Sequence, residues 1–167
     1  FLQEYSNQLW FFENTGSAKA PAYTWRTDRF QDADIGEWYR FVDLDADGDQ
    51  DLVGELPFSH VRFYRNAGTR TQARFEYVGP LKDSDGQEIF LDRQNIPAFV
   101  DLDCDKRLDL FVGRVEGTVA RYEAEQPGAE RFAFIQEQFE GIEIIGRIGG
   151  LRADGASAGQ GHPSMRH

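Results

Sequence analysis

Aspartates at alternate positions mark two segments of this chain, residues 41–53 and residues 99–112. Together the two segments carry nine of them: Asp43, Asp45, Asp47, Asp49, Asp51, Asp101, Asp103, Asp105 and Asp109. Several carboxylates converge in one short turn only when a cation lies among them. Calcium suits such a turn because it takes about six to eight oxygen ligands from carboxylates, backbone carbonyls and water. The spacing therefore predicts a calcium loop that occurs twice.

Short strands are expected to position both loops. Aromatic and β-branched residues cluster in brief segments that end at turn signals such as Asn14-Thr15-Gly16 and Asn66-Ala67-Gly68. No segment shows a sustained helical period, so the sequence predicts an all-β fold. The expected strands are residues 8–13, 22–26, 38–42, 51–55, 60–65, 74–78, 97–100, 110–113, 118–122 and 131–135.

The predicted strands form a repeat. The acidic loops begin at residues 43 and 101, and four short strands recur in each unit, which is typical of four-stranded antiparallel β-propeller blades. The expected parts are the last two strands of a preceding blade (1–34), a blade with the first calcium loop (35–90), a blade with the second (91–145) and a glycine-rich tail leading to a missing blade (146–167). Propellers have about four to eight blades. The chain, with about two and a half, is therefore expected to be a fragment of a larger propeller, or a segment held by a partner.

The pattern Phe-Val-Asp-x-Asp-x-Asp-Gly-x-x-Asp-Leu-Val, followed by a strand, an Asn-x-Gly turn and a strand that bears phenylalanine, resembles FG-GAP/VCBS repeats. These repeats are the blades of integrin-α-like propellers. The resemblance covers roughly residues 8–140 and implies that calcium binds in the loop between the first two strands of a blade. It implies these ligands: the side chains of Asp43, Asp45, Asp47 and Asp51 with the carbonyl of Asp49, and the side chains of Asp101, Asp103, Asp105 and Asp109 with the carbonyl of Arg107.

The two loops differ at the position of the sharp turn. Gly48 is expected to adopt a positive φ, whereas the second loop has Lys106 there. A side chain in the left-handed region costs about 1 kcal/mol or more. The second site is therefore expected to bind calcium more weakly, or to be a former metal site in which Lys106 forms salt bridges with the aspartates. One or two structural calcium ions are expected, and an acidic surface turn without metal is the alternative.

Other chemistries fit the sequence less well. An EF-hand needs a glutamate at its twelfth position and flanking helices, but Gly54 and Val112 stand there between strand-like segments. Carboxylates crowded around a cation make poor general acids, and no nucleophile elbow, zinc helix or phosphate loop occurs, so no catalytic residue is expected. A disordered or docking tail is favoured over a metal-ligand role for His162 and His167, and a small filler role is favoured for Cys104 over a reactive thiol.

Charge and composition limit the partners. A formal net charge of −11 argues against nucleic acid, and no apolar run is long enough for a spanning helix, so no direct membrane insertion is expected. Calcium loops of moderate affinity fill where calcium is near millimolar, which predicts an extracellular, cell-surface or periplasmic setting. Six aromatic residues could form a sugar-binding platform, although packing between blades explains most of them more simply: Trp10, Trp25, Trp38, Tyr39, Tyr64 and Tyr122.

The function expected from these observations is a calcium-binding, non-catalytic propeller segment that acts as an extracellular interaction or adhesion scaffold. The resemblance implies a protein or glycan partner. Two alternatives stay open: the propeller part of a secreted carbohydrate-active enzyme or lectin, and an accessory subunit docked in a larger membrane-associated complex.

Overall fold

A computed structural model describes residues 1–3, 7–92 and 95–142 of the chain. The described part contains short strands joined by tight turns, and its helical content is limited to the 3-10 turns Phe30–Asp32 and Phe139–Gly141. The strands are β1 (Leu2–Gln3), β2 (Leu9–Asn14), β3 (Tyr23–Thr27), β4 (Tyr39–Val42), β5 (Asp51–Leu56), β6 (His60–Asn66), β7 (Phe75–Pro80), β8 (Lys82–Asp83), β9 (Ala98–Val100), β10 (Asp109–Gly113), β11 (Val119–Ala124) and β12 (Arg131–Gln136).

The strands form three sheets in chain order. The first sheet has the order β1-β2-β3, the second β4-β5-β6-β7, and the third β9-β10-β11-β12 with β8 added beside β12. Neighbouring strands are antiparallel except for β8, which runs parallel to β12. The all-β prediction and the four-stranded antiparallel sheet are confirmed. The arrangement is compatible with part of a β-propeller, in which meander sheets follow one another along the chain.

The second sheet is covered on both faces. Leu52 and Val53 are neighbours on β5, so their side chains point to opposite faces, and both are completely buried. Leu52 belongs to an apolar cluster with Leu9 and Ile35, which connects the second sheet to the first. Val53 belongs to the larger cluster with Leu110 and residues of the third sheet. The second sheet is therefore stabilised by the first sheet on one face and by the third sheet on the other.

Asparagine side chains build the predicted turns after β2 and β6. The Oδ1 atom of Asn66 accepts hydrogen bonds from the backbone N–H of Gly68 at 3.0 Å and of Arg74 at 2.9 Å. Asn14 does the same with Gly16 at 3.0 Å and Ala22 at 2.9 Å. The side chain holds both ends of each hairpin loop, which explains why this residue type recurs there.

The predicted strands agree with the observed ones within two residues at each end. Two strands differ from the prediction. The first sheet contains a third strand, β1, where two strands are predicted, and Lys82–Asp83 forms β8, which is not among the predicted strands. The predicted tail, residues 146–167, lies outside the described residues. No helix in the part of the chain that the structure describes is long and apolar enough to cross a membrane.

Candidate metal centres

The first acidic loop connects β4 to β5 and is closed at its base by strand pairing. Val42 pairs with Asp51, so the intervening residues are forced into a compact turn. Two residues make that turn possible by adopting the left-handed region, Ala46 with φ +58° and Gly48 with φ +93°. The positive φ of Gly48 agrees with the prediction, whereas that of Ala46 was not foreseen.

Three carboxylates of this loop converge. One oxygen from each of Asp43, Asp45 and Asp47 lies within 4.8 Å of the other two. Backbone N–H groups orient them: Gly48 donates to Asp43 at 3.1 Å, and Asp47 donates to Asp45 at 3.3 Å. Burial, followed by the neighbouring carboxylate of Asp47, raises the pKa of Asp45. The loop thus concentrates negative charge that a cation would stabilise.

Two oxygens in the same loop are buried and lack a hydrogen-bond donor. Across the described residues, the buried side-chain oxygens without a partner are Asp43 Oδ1, Asp49 Oδ1 and Gln8 Oε1, so two of these three belong to this loop. A buried acceptor without a partner costs roughly 1–3 kcal/mol, and more when it is charged. Oxygen ligands from carboxylates are what calcium requires, so the donor set fits a calcium ion.

Asp51 lies at the base of the loop and is 1 % exposed. Its Oδ2 accepts a hydrogen bond from the backbone N–H of Leu44 at 3.0 Å, and its Oδ1 accepts one from Asn66 at 2.7 Å. Burial raises the pKa of Asp51 to about 6 despite these hydrogen bonds. The carboxylate therefore organises the loop and the end of β6, and its role as a metal ligand stays a prediction.

The loop also contacts the third sheet. Arg65 Nε lies 3.7 Å from Asp45 Oδ2 and donates to Glu130 Oε1 at 2.9 Å, which links the loop to the turn before β12. Gly128 in that turn faces the loop so closely that a Cβ atom there would lie 2.3 Å from the carbonyl oxygen of Asp45. The first loop is therefore part of the joint between the second and third sheets.

The second loop, between β9 and β10, repeats the backbone of the first. Cys104 with φ +63° and Lys106 with φ +72° occupy the positions of Ala46 and Gly48. The left-handed conformation predicted for the lysine is confirmed. Carboxylate oxygens of Asp101, Asp103 and Asp105 again lie within 4.8 Å of one another.

The second loop differs from the first in its charged partners. Arg121 Nε donates to Asp109 Oδ1 at 2.7 Å, and its Nη2 lies 3.3 Å from Asp103 Oδ2. Arg107 donates to Asp105 from Nε at 2.6 Å and from its backbone N–H at 2.8 Å. That backbone hydrogen bond is the main reason why the pKa of Asp105 is lowered. Guanidinium groups thus contact three of the four aspartates.

The remaining predicted site residues are scattered. Of the six aromatic side chains, Trp38, Tyr64 and Tyr122 are buried in the two apolar clusters, whereas Trp25 is 55 % exposed on β3. Packing therefore accounts for these buried aromatic residues. The thiol of Cys104 is free and exposed. His162 and His167 lie outside the described residues.

Two arginines that contact the loops from neighbouring strands were not predicted from the sequence. Arg65 and Arg121 lie on strands, 14 and 12 residues after the last aspartate of their loops, so nothing local connects them to the acidic pattern. A comparison of the two repeats offers one signal. Val53 pairs with Phe63 and Phe111 pairs with Arg121, so the second repeat has a charged residue where the first has an aromatic one.

Comparisons with known proteins add no relative to these observations. No family model, curated protein or solved structure matches the chain.

Proposed function

We propose that the chain is a calcium-stabilised, non-catalytic segment of β-propeller blades in which the loop of residues 43–51 holds the ion. The observation that carries this proposal is the buried, unpartnered Oδ1 atom of Asp43, which belongs to a group of three converging carboxylates. A divalent cation among these carboxylates would supply the missing partner of Asp43 and offset the repulsion between the three side chains. The likeness of the motif to FG-GAP/VCBS repeats supports the same ion.

The proposed role of the ion is structural. The loop joins β4 to β5 and contacts the third sheet through Gly128 and through the Arg65–Glu130 ion pair. An ion held by the side chains of Asp43, Asp45 and Asp47 would fix the loop and, with it, the joint between two sheets. Carboxylates committed to a cation cannot exchange protons readily, which supports a non-catalytic assignment.

We further propose that the segment works outside the cell, on the cell surface or in a periplasm, as a scaffold for a protein or glycan partner. Near-millimolar calcium in those compartments would fill a loop of moderate affinity. The strong acidity of the chain supports partners other than nucleic acid.

Thermal unfolding of the full chain in calcium and in chelator tests the ion. A ligand at a hundredfold excess over its Kd adds about 2.7 kcal/mol, which raises the Tm of a chain of this size by roughly 5–11 °C. The shift should be largely lost in Asp43→Asn, which keeps the acceptor for Gly48 but removes the charge. It should persist in Asp85→Asn, since Asp85 is an exposed residue outside both loops. Superimposable melting curves in calcium and in chelator would refute the calcium assignment.

A glycan array probed with and without calcium tests the partner class. Calcium-dependent, sugar-specific binding would favour the lectin or enzyme-associated alternative. An array without signal would favour a protein partner.

A further inference from the structure

The guanidinium group of Arg121 lies among the carboxylates at the base of the second loop. It is supplied by β11, where its side chain is 16 % exposed. Arg121 contacts Asp109 at 2.7 Å, Asp103 at 3.3 Å and Glu123 at 2.7 Å. It thus connects carboxylates from the loop, from β10 and from its own strand.

Arg107 completes the set of ion pairs from within the loop. Its Nη2 lies 2.5 Å from Asp105 Oδ2, and its Nη1 forms an ion pair with Glu123. Both oxygens of Asp101 accept backbone hydrogen bonds, from Asp105 at 3.1 Å and from Lys106 at 3.0 Å. In contrast to the first loop, this loop has no buried carboxylate oxygen without a partner among the described residues.

The first loop offers a matched comparison. The carboxylates that correspond in the two loops are those of Asp51 and Asp109. Asp51 Oδ1 accepts from a backbone N–H at 2.7 Å, whereas Asp109 Oδ1 accepts from Arg121 at the same distance. The residue at the register position of Arg121 in the second sheet is Phe63, which is buried and carries no charge.

We infer that Arg121, assisted by Arg107, takes the place of a metal ion in the second loop, so that the chain holds one calcium ion rather than two. A dication that entered this loop would meet two guanidinium groups at ion-pair distance from its ligands, and the resulting repulsion opposes binding. The arginines also keep the loop closed when calcium is absent. The two loops thus share a backbone conformation, but only the first holds a metal ion.

Calcium titration by isothermal calorimetry tests this inference, whose expected stoichiometry rests on the proposed calcium site of the first loop. The full chain should bind one ion, and Asp45→Asn should bind none. Two ions in the unmodified chain would overturn the inference but leave the calcium site of the first loop standing. A single ion that persists in Asp45→Asn would overturn the inference and the proposed site of the first loop together. Asp103→Asn should leave the stoichiometry at one.

Thermal unfolding in chelator tests the role of Arg121 independently of calcium binding. If the unmodified chain bound no calcium, the proposed function would be refuted, but this comparison would still show whether Arg121 stabilises the second loop. In chelator, Arg121→Ala should lower the Tm by on the order of 5–10 °C, because it removes the charged donor to Oδ1 of the buried Asp109. Arg121→Lys keeps the charge but loses the planar set of N–H donors that the guanidinium group provides. Its Tm should therefore lie between that of Arg121→Ala and that of the unmodified chain. Arg74→Ala, which removes an exposed ion pair, is the control. Equal Tm values for Arg121→Ala and Arg74→Ala would overturn the inference.

Discussion

Replacing Gly128 with alanine tests whether the first acidic loop is fastened to the neighbouring sheet. A Cβ atom at this position would lie 2.3 Å from the carbonyl oxygen of Asp45 and 3.5 Å from Cβ of Ala46. The first of these contacts is with backbone, which cannot rotate away as a side chain can. Either the loop or the turn around residue 128 must therefore move.

The expected loss of stability has two parts. Gly128 has φ +73°, so alanine is placed in the left-handed region, at a cost of about 1–2 kcal/mol. Overpacking of a tight contact adds about 1–3 kcal/mol. Together these contributions lower the free energy of unfolding by roughly 2–5 kcal/mol.

Gly86 provides a matched control for the conformational part. It has φ +80°, and the nearest atom to its added Cβ is Arg131 Nη1 at 4.0 Å, which is ordinary contact. Gly86→Ala should therefore cost only the about 1–2 kcal/mol of the left-handed conformation. The difference between the two variants isolates the contact with the loop.

Urea unfolding at equilibrium, in calcium and in chelator, measures both variants. Gly128→Ala should lose more stability than Gly86→Ala, and it alone should weaken calcium binding, because the displaced carbonyl belongs to Asp45. If the two variants lost equal stability and bound calcium equally, the loop would not be held by the third sheet as described.

Two further substitutions test the joints and turns of the sheets. In urea unfolding, Asn66→Ala should lower the free energy of unfolding by about 1 kcal/mol or more beyond the loss in Asn14→Ala. Both side chains make the same two hydrogen bonds, but only Asn66 is buried, at 3 % exposure. Equal losses in the two variants would contradict this. Arg62→Ala should cost about 1.5–3 kcal/mol, because it removes the charged donor to the carboxylate and the carbonyl oxygen of Asp34, although Tyr64 still donates to that carbonyl. Arg26→Ala, which removes an exposed ion pair, should cost less than about 1 kcal/mol, and a comparable loss in both variants would argue against the importance of the Arg62 contact.

Local chemistry made most of the strands predictable. Aromatic and β-branched segments bounded by turn residues fix where a strand begins and ends, and the Asn-x-Gly turns carry their own hydrogen bonds. The same local reasoning identified the left-handed positions of Gly48 and Lys106, since a loop with this spacing needs a sharp turn there. It did not identify Ala46 and Cys104, because their residue types give no signal for a positive φ.

Contacts between distant parts of the chain were not predictable in this way. Gly128 meets a loop that lies more than eighty residues earlier, and its residue type alone indicated only a turn. Arg121 reaches the acidic cluster because β11 pairs with β10, and that register is visible only once the sheet is assembled. The acidic pattern therefore indicated two equivalent sites, while the side chains that distinguish them come from other strands.

The most direct measurement is the anomalous difference map of a crystal of the full chain grown in calcium. One peak is expected in the first loop, at about 2.3–2.6 Å from oxygens of Asp43, Asp45 and Asp47, and no peak is expected beside Asp103, where Arg121 should remain. A first loop without a peak in saturating calcium would contradict calcium binding by this chain, and a peak of equal height in the second loop would contradict the difference between the two loops.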